Sequence, residues 1–122
     1  MAAATALKCR YCLLAHGTVL MKNEMSLEQL RALLKDFRNA GLDRSEVAMM
    51  EFARKVAVSA NEMTQADVDF LRGLGIPDDE ILDITLTATM RCFASKTFDA
   101  LGAEADPAYE ELEKQLSDLL PA

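Results

Sequence analysis

Apolar residues recur at intervals of three and four along most of this 122-residue chain, and no apolar–polar alternation lasts more than a few residues. That spacing fills one face of a helix, not one face of a strand, so the chain reads as all-α, one domain over residues 1–122. Composition favours a helix from Ala2 to about Met21, weakened at Gly17, with a break at "KNEMS". Ser26 followed by Gln29 has the capping-box pattern before "LEQLRALLKDF", a segment closed by Gly41. Asp43 with Glu46 opens "SEVAMMEFARKVAVSA", where Glu51, Arg54 and Lys55 share a solvated face. Thr64 with Asp67 opens "QADVDFLRGLG", which stops at Gly73 or Gly75. Pro77 suits the first turn of a long helix, and Asp78, Asp79 and Glu80 complement the positive end of its dipole.

That long helix carries two apolar lines. Ile81, Ile84, Ala88 and Cys92 form one; Leu82, Leu86, Phe93 and Leu101 form the other. A small domain has few helices with which to cover both, so neighbouring subunits are expected to cover part. A last amphipathic segment is expected over Ala108–Leu120.

The totals narrow the functional classes. A net charge of −7 with no basic stripe disfavours nucleic acid as a partner. The uncharged run Tyr11–Met21 is shorter than the about twenty apolar residues a bilayer span needs, and no small-residue cleavage site follows it. The expectation is a cytoplasmic protein without membrane partners.

The distinctive stretch is "CRYCLLAHG", Cys9 to Gly17, which holds two of the three cysteines and the only histidine. Cys9, Cys12 and His16 stand three and four apart, so on a helix their side chains are neighbours. Two thiols so placed can close and reopen a disulfide, and an imidazole one turn on can accept a thiol proton or stabilise the thiolate. Cys12 is the candidate nucleophile toward peroxide. Cys9 can condense with the resulting sulfenic acid before it oxidises further. A buried structural thiol pair and a zinc site completed by Cys92 or water are the rival readings. A thioredoxin-like motif would follow a strand, and haem attachment needs histidine where Leu13 stands.

Elsewhere, Met21, Met25, Met49, Met50 and Met90 read mostly as core, with a pocket for an apolar hydroperoxide as the alternative. Cys92 reads as a small buried hydrophobe, and "PDDE" as a helix start rather than a metal site.

"CRYCLLAHG", "EFARKVAVSANEMTQADVDFLRGLGIPDDEILDI" and the closing "ALG" together resemble the alkylhydroperoxidase D and carboxymuconolactone decarboxylase-like superfamily, in its peroxidase-related branch. The resemblance runs from about Leu7 to Pro107. It implies an all-α fold assembled as a trimer or hexamer, and hydroperoxide reduction by a cysteine pair without metal or prosthetic group. A dithiol or lipoyl-bearing protein would be the reductant. Cys12 matches the attacking cysteine, Cys9 the resolving one and His16 the relay histidine. The family's relay also uses a glutamate upstream of the motif, whereas "MAAATALK" contains no acid. That leaves open an upstream helix that carries it, a different proton path, or weak activity. The other expectations are a non-catalytic oligomeric scaffold of the same fold and, by analogy with the other branch, a ring-lactone decarboxylase.

Overall fold

The computed structural model describes residues 1–23 and 25–122, and among these it is 76% helical with no strand. Seven α-helices follow in order: α1 (Ala2–Ala6), α2 (Arg10–Lys22), α3 (Leu27–Asp36), α4 (Arg44–Ser59), α5 (Gln65–Gly73), α6 (Asp78–Leu101) and α7 (Glu110–Gln115). Single 3₁₀ turns at Phe37–Asn39, Ala60–Glu62 and Pro107–Tyr109 tighten the connections. Part of the expected break at Lys22–Ser26, residue 24, lies outside the described residues.

The helix starts follow from their caps. Ser26 Oγ accepts from the Gln29 amide at 3.1 Å while Gln29 Oε1 accepts from the Ser26 amide at 2.8 Å, and Asp43 and Glu46 exchange the same pair of bonds. Asp67 accepts from the Thr64 amide at 2.7 Å, and from Lys55 Nζ of α4 as well. Gly75, at φ +85°, ends α5: its amide donates to Arg72 O and the next amide, of Ile76, to Leu71 O. Leu71 and Ile76 then pack together in the core, as the hydrophobic part of this motif requires.

The expected helix from Ala2 to Met21 is two helices. α1 ends in the same motif as α5, with Lys8 in the left-handed position at φ 55°, the one non-glycine residue of positive φ among those described. The amides of Lys8 and Cys9 donate to Thr5 O and Ala4 O, each at 3.2 Å. The chain therefore turns at Lys8, and Cys9 becomes the cap residue of α2 in extended conformation. No glycine marks this turn, which is why composition misses it.

Three clusters make the core. Ala48, Phe52, Val56, Leu71, Ile76, Ile81 and Ala88 join α4, α5 and α6. Leu14, Leu30, Leu112 and Leu116 join α2, α3 and α7. The third holds Ala4, Cys9, Cys12 and Leu13, with Tyr11 packed on Phe98 at 4.8 Å between ring centres. Gly17 lets α3 and α7 approach α2: a side chain there would start 3.2 Å from Leu30 and 3.4 Å from Leu112. Hence a helix-weakening residue sits in mid-helix.

The C-terminal segment is shorter as a helix than its periodicity predicts. α7 stops at Gln115 because Arg31 donates to the Gln115 carbonyl at 2.6 Å, taking the acceptor that the next turn needs, and pairs with both oxygens of Asp118. Leu112 and Leu116 are buried and Leu119 and Leu120 partly so, so the apolar face survives the change of backbone. Met90 is a further correction: it is exposed, whereas Met21, Met25, Met49 and Met50 are half-buried.

Of the two apolar lines on α6, Ile81 and Ala88 are buried and Ile84 and Cys92 partly buried. The other line is open in the single chain: Leu82, Leu86, Phe93 and Leu101 are all more than half exposed, Phe93 at 75% and Leu101 at 80%.

Candidate functional site

Cys9 and Cys12 meet because one caps the helix that carries the other. The Cys12 amide points at Cys9 Sγ, 3.4 Å away, and the Cys9 thiol donates to Cys12 Sγ at 2.9 Å. Both are free thiols and both are sealed from solvent, at 0% and 1% exposure. The first amides of a helix carry partial positive charge, so sulfur there is biased toward the anion. For Cys9 other effects outweigh this. Burial, and then its thiol's hydrogen bond to Cys12, push it up to about 11. Cys9 is thus held protonated, with its S–H directed at Cys12 Sγ.

A hydroxyl from a later helix also reaches Cys12: Ser95 Oγ on α6 lies 3.3 Å from Cys12 Sγ, and either group can donate to the other. One turn back along α6, Arg91 Nη1 lies 2.9 Å from His16 Nε2. The pairs Cys12–Ser95 and His16–Arg91 form two rungs between α2 and α6, which therefore run antiparallel here.

The second rung fixes the chemistry of the histidine. A guanidinium only donates, so Nε2 accepts and the ring proton is on Nδ1. His16 is held neutral. Burial, then the positive charges of the Met1 amino group and of Arg91, keep it below the ordinary histidine value. The structure brings Cys9 and Cys12 into contact, whereas the hydrogen bond of His16 is to Arg91 and not to either sulfur. Among the described residues no three His, Cys, Asp or Glu side chains converge on one point as ligands for an ion.

Ser95 and Arg91 were not among the sequence candidates. A signal for Ser95 exists. It continues the inward line Ile81, Ile84, Ala88, Cys92 and is, among the described residues, the one fully buried polar side chain of the core. For Arg91 the signal is its place one turn before Ser95. Arg91, like Arg44 and Arg54, has no carboxylate partner among the described residues, whereas Arg10, Arg31, Arg38 and Arg72 have one.

Arg91 is also among the residues lining an open groove of about 490 Å³, with Leu33, Met49, Met50, Ile84 and Ala88 as apolar lining and Glu46 and Asp83 as acidic lining; Cys9, Cys12 and His16 do not line it. Cys92, half-buried on α6, faces Ala57 O at 3.8 Å and lies apart from the thiol pair. Comparison of the chain with protein-family models, with curated proteins and with solved structures finds no match.

Proposed function

We propose that the protein is a thiol-dependent hydroperoxide reductase. The observation that carries this reading is the 2.9 Å contact between a protonated Cys9 and an accepting Cys12 at the head of α2. The Cys12 thiolate attacks the terminal oxygen of a hydroperoxide. The O–O bond breaks, Cys12 becomes a sulfenic acid, and the departing alkoxide takes a proton from water to leave as alcohol. The Cys9 thiol then displaces the sulfenic hydroxyl as water and closes the disulfide. An external dithiol, small or lipoyl-type on a carrier protein, returns both thiols by exchange and is itself oxidised.

In this reading Cys12 is the nucleophile and Cys9 resolves. His16 positions Arg91, whose fixed charge one turn away balances the negative charge passing to the leaving oxygen. The groove that Arg91 lines together with Met25, Met49 and Met50 suits the apolar substituent of a hydroperoxide. The exposed line on α6 supports assembly into a homo-oligomer through that helix.

The test is peroxide consumption in the presence of a dithiol. Cys12→Ser is expected to abolish it, and Cys9→Ser to allow one turnover that ends in an over-oxidised Cys12, visible as added oxygen by mass spectrometry. A Cys12→Ser variant with the wild-type rate refutes the mechanism. The complete burial of both sulfurs favours a second reading, a non-catalytic helical scaffold with a structural thiol pair. Absence of turnover with every reductant, in protein whose thiols remain reduced, selects that one.

A further inference from the structure

α6 carries several hydroxyls, and most obey the usual rule. Thr85, Thr89 and Thr97 donate back to the carbonyls of Ile81, Thr85 and Phe93, at 2.8, 3.1 and 2.8 Å. Ser95 breaks the pattern. Its partner is not a carbonyl of its own helix but a sulfur on α2, 83 residues away in sequence. It is also completely buried, in a core otherwise made of apolar side chains. Sinking a hydroxyl into such a place is costly unless it has a good acceptor. A neutral thiol is a poor one and a thiolate a strong one, since hydrogen bonds to charged groups are about twice as strong as neutral ones.

We infer that Ser95 is the hydrogen-bond donor that stabilises the Cys12 thiolate, so that α6 supplies a working part of a site whose sulfurs lie at the other end of the chain. The inference rests on the reading of Cys12 as the nucleophile. With the Cys9 thiol, Ser95 gives the anion two donors, and the hydroxyl stays in reach of the sulfenic oxygen or of the sulfur once charge has left. Other charged and titratable groups near Cys12 are Cys9, the Met1 amino group and, one turn on, His16 with Arg91. Changing Ser95 leaves all of these in place; because Ser95 also hydrogen-bonds Cys9, the midpoint of Cys9 is followed alongside that of Cys12.

The experiment follows alkylation of Cys12 by iodoacetamide across pH, mapped to its peptide by mass spectrometry, in the full chain. Restricted access of the reagent scales the rate, whereas the midpoint reports the ionisation of Cys12 in its surroundings. Ser95→Ala is expected to raise the midpoint by about one pH unit, which corresponds to an about tenfold smaller thiolate fraction near neutral pH. Ser95→Thr, which returns the hydroxyl, restores it. Should the alanine variant fail to fold, Ser95→Gly removes the hydroxyl without adding bulk or a new titrating group and is expected to shift the midpoint in the same direction. An unchanged midpoint in Ser95→Ala, or in Ser95→Gly where that is the variant that folds, overturns the inference. A shifted midpoint without peroxide turnover in any variant upholds the role of Ser95 and rejects the reductase reading, so the two failures are distinguishable.

Discussion

His16 shows how one contact changes what a residue is able to do. Read from spacing, it is a candidate base for Cys12. In the fold its Nε2 is occupied by Arg91, and burial and nearby positive charge disfavour protonation. A stability consequence follows from linkage. With its folded-state value below the unfolded one of about 6.5, the unfolded chain takes up a proton first as pH falls, so the native state is progressively destabilised below about pH 6.5. This is the only histidine; the Met1 amino group, lowered by burial from its ordinary value, adds a loss over the same range that the variant below shares, and Asp67, held at about 2 chiefly by the Lys55 ammonium, contributes only at lower pH. Melting temperatures at about pH 7.5 and about pH 5.5 check it: the wild type is expected to lose more on acidification than His16→Gln, whose amide oxygen still accepts from Arg91. The histidine was legible as a candidate; its donor was not, because 75 residues separate them and periodicity carries no information on which helix faces which.

The boundary between α1 and α2 decides the geometry of the thiol pair. Capping pairs with a polar side chain, Ser26–Gln29, Asp43–Glu46 and Thr64–Asp67, were plain in the sequence and start their helices as expected. The α1–α2 junction uses a lysine where glycine is usual and a cysteine where serine or aspartate is usual, so neither signal was present. The left-handed backbone costs a non-glycine residue about 1–2 kcal/mol, partly offset by the extra freedom glycine has when unfolded. Lys8→Gly should therefore stabilise the fold by about 0.5–1 kcal/mol, seen as a higher urea midpoint with an unchanged slope. A lower midpoint would mean that the lysine side chain contributes something its exposed position does not show. The early end of α7 has a similar origin: an arginine from another helix captures a carbonyl, a tertiary effect invisible to periodicity.

For the molecule as a whole, the all-helical class and the two lines on α6 were readable, because 3.6-residue periodicity is a local property. What covers the second line is a question about other copies of the chain. If that helix joins subunits, a charge at its centre should separate them: Phe93→Asp is expected to reduce the mass measured by light scattering to that of one chain, with helical content retained. Unchanged mass would move the interface elsewhere, and a monomeric wild type would leave the exposed line without this role. The thiol site itself was half legible. Cys9 and Cys12 announce themselves by spacing, whereas Ser95 and Arg91 come from a helix whose register against α2 is set only by folding.

That register has a consequence for any attempt to shrink the protein. A peptide ending after α2 would keep both sulfurs and the imidazole, yet lose the hydroxyl, the guanidinium and the apolar walls supplied by later helices. It would behave as an unremarkable solvent-exposed dithiol. During synthesis too, the pair leaves the ribosome well ahead of the residues that shield it, and for that interval it is open to any oxidant it meets.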